Sequence, residues 1–290
     1  MKQFVVNHLP KSISKFSRIW FLRLSAKKRL APRSELRFDV HLVDHCNLNC
    51  KGCLHFSPLS TAKYLNIQTF ENDLKTLSKL THGKISDICL LGGEPLLHPD
   101  IELFLPVARR YFTEGRINIL TNGLLLPKMP ETFYETCKKN EIEISISYYP
   151  VKIDIEKIKE LTNKYSIPLE IRDEYRNDRS TWLRQPLDIT GKQNNKKSYT
   201  TCAMGNFCIQ LIDGKIYQCE TVAYIHYFNK YFGKDIVVRD NDYINIYSVM
   251  KIEEIFDFLC KPMPFCRYCK TKDVEYVPWG NSKKEISEWT

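Results

Sequence analysis

Three cysteines, Cys46, Cys50 and Cys53, lie within eight residues of the stretch HLVDHCNLNCKGCLHFSPL, spaced C-x3-C-x2-C. Clustered thiolates suit zinc or iron–sulfur units. A structural zinc ion takes four ligands in a tetrahedron, and His45 or His55 could complete the three cysteines. A [4Fe–4S] cluster held by only three cysteines instead keeps one iron open to another ligand. A second set, Cys202, Cys208, Cys219, Cys266 and Cys269, sits in TCAMGNFCIQLIDGKIYQC and FCRYC. Five thiols there compete for the four positions of one metal centre. The chain has eleven cysteines in all, an odd count gathered in short clusters. That pattern points to thiolate ligation in a reducing, cytoplasmic setting and not to a disulfide framework.

The elements that must position these thiols alternate along the chain. LRFDVHLV places Leu36, Phe38, Val40 and Leu42 at period two and predicts a strand leading into the first cluster. DICLLGG, RINILTNG, EIEISISYY and PLEIRD predict four more strands. Helical patterns lie between them in TFENDLKTLSKL, IELFLPVARRYF, PETFYETCKKN and IEKIKELTNKY, with Thr69 a candidate cap for the first. Repeated strand–helix units with short loops imply an α/β fold with a parallel sheet and right-handed crossovers. A closed eight-unit barrel usually needs about 250 residues. The repeating part is shorter, so the expectation is a partial, open β/α barrel of about six parallel strand–helix units, with the sixth strand near residues 180–200. The polar run from Arg172 onward reads as a linker or an active-site cover. A small cysteine-rich extension follows, opening with a hairpin that turns at Asp213-Gly214. The expected divisions are 1–34, 35–200 and 201–290.

On these residues the chain resembles the radical S-adenosylmethionine enzymes. CNLNCKGC is similar to their C-x3-C-x2-C signature, and LGGEPLLHPD, at the end of the second predicted strand, is similar to their GGEP segment. The resemblance implies that Cys46, Cys50 and Cys53 bind three irons of a [4Fe–4S] cluster, with S-adenosylmethionine chelating the fourth. Gly92, Gly93, Glu94 and Pro95 would lie against its methionine amino group, the glycines allowing close backbone approach and Glu94 offering negative charge to an ammonium. Asn122, Ser145 and Ser147 match regions that often touch the cofactor. One departure is Gly52, where the family usually has an aromatic residue against the adenine; His55 and Phe56 are candidate substitutes. The late cysteines resemble the Twitch and SPASM extensions, which carry auxiliary [4Fe–4S] clusters. Cys202, Cys219, Cys266 and Cys269 are the favoured ligands of one such cluster, with Cys208 an alternative ligand or a hydrogen-atom donor. Structural zinc is the competing occupant. Cys89 and Cys137 read as packing residues, and Cys260 ends a helix-like run.

The implied chemistry is reductive cleavage of S-adenosylmethionine to a 5′-deoxyadenosyl radical, which removes a hydrogen atom from an unactivated C–H bond. It calls for an electron donor such as flavodoxin or ferredoxin. Carbohydrate oxidation, epimerisation or dehydration is the favoured outcome, because CKGCLHFSPL loosely resembles members associated with bacterial polysaccharide loci. Peptide modification is the alternative; the 34 residues before the core are fewer than the recognition domain that many peptide modifiers carry. Outside enzymes, a zinc-stabilised interaction module competes. Charge adds one hint. The net charge is +9. Residues 1–37 hold ten Lys or Arg and one acid, which accounts for all of it. A basic arm with Ile13, Phe16, Ile19, Trp20 and Leu24 on one helical side suits docking on the barrel, or contact over residues 11–30 with the inner membrane face or a phosphate-bearing or lipid-linked substrate. No base-reading motif accompanies it, so nucleic acid is disfavoured. Anaerobically prepared protein is expected to carry about eight irons and eight sulfides per chain if both cysteine sets hold clusters, and about four of each if only the first does. Zinc without sulfide overturns both assignments.

Overall fold

The computed structural model describes residues 36–172, 181–202, 205 and 208–290. The expectations for the arm over residues 1–34, including contact through 11–30, lie outside the described residues. Five parallel strands form the body: β1 (Arg37–Val43), β2 (Asp87–Gly92), β3 (Arg116–Thr121), β4 (Glu143–Ile146) and β5 (Leu169–Ile171). Helices α1 (Ile67–Thr81), α2 (Ile101–Tyr111), α3 (Glu131–Lys139) and α4 (Ile155–Lys164) make the crossovers. The cap of α1 is Asn66, whose side chain accepts from the amides of Gln68 and Thr69; Thr69 itself lies within the first turn.

The sheet is open, as the short repeat requires, but its sixth parallel strand is not near residues 180–200. There, β6 (Thr181–Arg184) pairs antiparallel with β10 (Glu275–Pro278) in a separate two-stranded sheet. The sixth strand is β7 (Gln210–Ile212), which adds to the other edge of β1. That edge carries unpaired backbone groups, and the Asp39 amide donates to the Ile209 carbonyl at 2.7 Å. The hairpin expected at Asp213-Gly214 therefore belongs to the main sheet. Strands β7, β8 (Lys215–Tyr217) and β9 (Tyr243–Asn245) complete the order β5-β4-β3-β2-β1-β7-β8-β9. Both turn residues have positive φ, 48° for Asp213 and 73° for Gly214, as a two-residue hairpin loop of this hand requires. The polar run after Arg172 contains β6 and a short helix, α5 (Asn195–Thr201).

Period-two alternation gives the sheet two different faces. Phe38, Val40, Leu42, Ile88, Leu90, Ile117, Ile119, Ile144 and Ile146 join Phe70, Leu74, Phe104 and Phe133 of the helices in one apolar core. The intervening side chains, polar at Arg37, Asp39, His41, Asp87, Arg116, Asn118, Glu143 and Ser145, face the barrel interior. A second core forms where α6 (Glu220–Phe232) meets Phe56, Tyr199, Phe265 and Trp289. The last helix, α7 (Ile252–Leu259), ends at Cys260, which is half-buried. Among the described residues, no helix is long and apolar enough to cross a membrane.

Asp73 of α1 ties the body to the hairpin: it accepts from the Gly214 amide at 2.9 Å and from the Tyr247 hydroxyl. Asp73→Ala removes the partner of both donors in a site where Asp73 is 4% exposed. It is expected to lower unfolding free energy by about 1–3 kcal/mol in anaerobic chemical denaturation, the cost of leaving the buried Gly214 amide unpaired, since the exposed Tyr247 can turn its hydroxyl to water.

Candidate functional site

The first cysteine loop leaves the C-terminal end of β1, and each of its sulfurs lies near N–H groups. Cys46 Sγ accepts from the Leu48 amide at 3.3 Å and from Asn122 Nδ2 at 3.8 Å. Cys50 Sγ accepts from the Trp279 indole at 3.3 Å. Burial raises the Cys53 thiol pKa, and the amides of Ser57 and His55 act against it. Burial likewise pushes the Cys46 thiol upward. Three reduced thiols met by such donors fit a cluster, because N–H groups favour the thiolate form and bound iron displaces the protons. Among the described residues, no three His, Cys, Asp or Glu side chains converge around a single metal ion.

The GGEP segment holds this loop from one side. The amides of Gly93 and Glu94 donate to the carbonyls of Val43 and His45 at 2.7 and 3.0 Å. A Cβ on Gly92 or Gly93 would come within 2.1 Å of those carbonyl oxygens. The glycines thus permit close chain-to-chain contact. Glu94 is held by the protein itself. It is fully buried, and it accepts from the Leu96 amide at 3.1 Å, the Thr121 hydroxyl at 2.6 Å and the Asn122 amide at 2.9 Å. Its carboxylate ties the end of β2 to the end of β3, although burial pushes its pKa up to about 7. Pro95 opens the 3-10 turn that follows. Through Glu94, Asn122 is held against Cys46, and its side chain also donates to Asn47 at 2.7 Å.

Ser145 and Ser147 occupy the inner face at different levels. Ser145 is buried and donates to Glu170 at 2.8 Å within a network that includes Arg116, Asp87, Glu143 and Arg172. Arg116, Asp87 and Glu143 of this network lie at strand N-termini, while Ser145, paired with Leu120, and Arg172, just past β5, lie nearer the C-terminal ends. Ser147 is half-buried, and its amide donates to the Thr121 carbonyl near Asn122. Neither proposed substitute for the missing aromatic faces outward from the loop. Phe56 is fully buried against Phe228 and Trp289. His55 hydrogen-bonds His41, which in turn meets Asp44, and the Tyr227 hydroxyl donates to Asp44. Burial keeps both histidine pKa values low.

The late cysteines divide. Cys202, Cys219, Cys266 and Cys269 line one small buried pocket with Tyr199, Met263 and Phe265. Each comes from the end of a short element: the C-cap of α5, the N-cap of α6, and the turn Pro264–Tyr268 with its cap. Burial pushes Cys266 up to about 12, with the neighbouring Cys202 adding to it, and raises Cys219 and Cys269 well above the usual thiol range. No disulfide forms among them. Cys208 lies outside this group. It is half-buried, and its carbonyl accepts from Gln210 Nε2 at 2.9 Å, next to the Asp39 side chain. Cys137 is packed in the apolar core, but Cys89 faces inward beside Asp39.

Strand register defines an interior row that was not singled out as functional in the sequence. Gln210, Asp39, Cys89 and Asn118 are consecutive partners across β7, β1, β2 and β3. Glu220 and Tyr224, one turn apart on α6, lie over this row, and Tyr224 stacks on His41 at 3.9 Å. Asn118 Oδ1, Gln210 Oε1, both Glu220 oxygens and the Tyr224 hydroxyl are buried without a hydrogen-bond partner among the described residues. Burial pushes Asp39 up to about 6 against the opposing pull of Arg37, and pushes Glu220 up to about 8. The available signal was the polar half of the alternation, Arg37, Asp39 and His41 in β1 and Arg116 and Asn118 in β3.

A family model for the radical SAM superfamily matches residues 40–195. The GTP 3′,8-cyclase of Aliarcobacter butzleri is 30% identical over 90 residues, 31% of this chain and 28% of that protein. That of Helicobacter pylori is also 30% identical over 90 residues, with the same coverage. The chain therefore spans under a third of the length of these curated relatives. The crystal structure of BtrN in complex with AdoMet and 2-DOIA shares the fold, with TM-score 0.51 and 15% identity over 82% of this chain and 94% of that one. Replacing Cys219 by Ser is expected to lower the metal content of purified protein, read by elemental analysis, because it opens the four-thiol pocket. Cys208→Ser is expected to leave it unchanged.

Proposed function

The chain belongs to the radical SAM superfamily, and we propose that it draws a hydrogen atom from a hydroxyl-rich small molecule, a carbohydrate, held inside the barrel. Its cofactors are S-adenosylmethionine and a [4Fe–4S] cluster. In this reading Cys46, Cys50 and Cys53 hold that cluster, and Asn122 and the GGEP segment fix the loop that carries them. When bound, the pair supplies the radical that breaks an unactivated C–H bond. The protein's part is to orient the substrate and keep water out.

The carrying observation is the set of buried polar atoms left without a partner on Asn118, Gln210, Glu220 and Tyr224. A buried polar atom with no partner costs about 1–3 kcal/mol, so several in one interior favour a ligand rich in hydroxyls, which can both donate and accept. A sugar ring offers that pattern. The interior arginines support the same choice over a nucleoside triphosphate, the substrate type named in the GTP 3′,8-cyclases. Arg37, Arg116 and Arg172 all lie in ion pairs with Asp39, Asp87, Glu143 or Glu170. Phosphates would have to compete with those carboxylates.

Cys202, Cys219, Cys266 and Cys269 are assigned to one auxiliary [4Fe–4S] cluster in a Twitch-like region over 201–290. Cys208, which is not among the residues lining that pocket, is proposed to return a hydrogen atom to the substrate radical, leaving a thiyl radical that one electron from the flavodoxin- or ferredoxin-type donor and a proton restore to the thiol. Reduced enzyme incubated with S-adenosylmethionine and perdeuterated sugars, free and nucleotide-linked, is expected to release deuterium-labelled 5′-deoxyadenosine, read by mass spectrometry. Glu220→Gln is expected to reduce kcat/KM for the labelling sugar by about tenfold or more, equivalent to about 1.4 kcal/mol. Label arriving from deuterated GTP and from no sugar would sink the carbohydrate reading.

A further inference from the structure

The segment 279–290 contributes nothing to either cysteine set, yet it runs along the first cysteine loop. Cys50 and Asn281 form an antiparallel bridge. The Lys51 amide donates to the Gly280 carbonyl at 2.8 Å, and the Ser282 amide to the Asn49 carbonyl at 2.6 Å. Asn49 returns a side-chain hydrogen bond to the Ser282 carbonyl at 3.1 Å. The Trp289 indole donates to the Cys53 carbonyl at 2.9 Å. Contact thus spans the loop from Asn49 to Cys53.

The segment is itself locked. Glu288, 2% exposed, accepts from the Ser282 hydroxyl and the Lys283 amide, each at 2.6 Å, which folds the chain back on itself. Trp289, also 2% exposed, packs between Phe56 and Phe232. The same fold-back accounts for Gly52. Its φ is +66°, and a Cβ there would lie 2.8 Å from the Glu288 carbonyl oxygen. An aromatic side chain at position 52 is incompatible with this closure, and the nearby aromatic on the loop's surface is Trp279, with Tyr149 at 6.2 Å.

We infer that residues 279–290 form a clamp on the catalytic iron–sulfur centre, and that Trp279 is a positioning residue that sets the cluster's reduction potential through Cys50. This rests on the reading that Cys46, Cys50 and Cys53 hold the cluster. The indole N–H is a donor only, and it points at Cys50 Sγ from 3.3 Å. A reduced cluster carries more negative charge on its sulfurs than an oxidised one. A fixed N–H donor therefore stabilises the reduced form more and raises the potential. Glu288 and Trp289 hold the backbone that places Trp279.

The test uses the anaerobic, iron-loaded full chain. W279F keeps an aromatic ring and removes the donor. Its iron and sulfide content is expected to match the native protein, while the midpoint of the first cluster, followed by electron paramagnetic resonance, falls by about 59 mV, a tenfold change for a one-electron couple. If W279F does not retain iron, the same titration is made with β-(3-benzothienyl)alanine at position 279, which replaces only the N–H by sulfur. E288A is expected to release iron to a chelator about tenfold faster. An unchanged midpoint in a cluster-loaded donor-free variant overturns the inference. Failure of the underlying reading is distinguishable, since C50A would then keep its full iron and sulfide.

Discussion

The loop bearing Cys46, Cys50 and Cys53 has almost no regular structure of its own, so its shape depends on backbone groups supplied by two distant parts of the chain. On one side, Gly92 and Gly93 let β2 approach close enough for amide hydrogen bonds to Val43 and His45. On the other, residues 279–282 pair with Asn49 and Lys51. A loop gripped on both edges keeps its backbone in place, and that limits the backbone reorganisation that metal binding demands. Glu94 extends the same constraint. By joining β2 to the Thr121-Asn122 turn, it sets Asn122 against Cys46.

The contrast between the two faces of the sheet follows from the same economy of contacts. The outer face meets four helices and is apolar throughout. The inner face is lined by carboxylates, amides and arginines, which an ordinary core would exclude. Near the strand N-termini Arg116 pairs with three acids, although one oxygen of Asp87 keeps no hydrogen-bond partner among the described residues. One level higher, acceptors on Asn118 and Gln210 are left over. Charge meets charge at Arg116, and hydrogen-bonding capacity is left over at Asn118 and Gln210. Helix α6 completes the arrangement by bringing Glu220 and Tyr224 to the interior while Cys219, its N-cap, joins the second thiol pocket.

Much of this was visible in the residues alone. LRFDVHLV alternates strictly, so β1 and its apolar outer face could be read directly, as could the hairpin at Asp213-Gly214. The polar half of the same alternation was equally visible, but it looked like the solvent face of an ordinary strand. Only the packing of α6 over that half, with Tyr224 stacked on His41, makes it interior. The sixth strand was misplaced because a short apolar run carries no information about which edge it joins. Cys208 was hard to sort for a related reason: spacing places it six residues from Cys202, yet Cys202 lines the four-thiol pocket while Cys208 leads into β7 beside β1.

Local pattern, in short-range spacing and period, was enough to establish the three-cysteine loop at a strand end, the α/β repeat and the open barrel, because each of these is written within a few neighbouring residues. Tertiary structure decided which four thiols share a pocket, which carboxylates face inward and which residues brace the loop. Those outcomes are set by contacts between residues far apart in the chain, such as Cys50 with Trp279, or Asp39 with Gln210. Period and spacing cannot encode such contacts, since they depend on which edges and faces meet only once the whole sheet has formed.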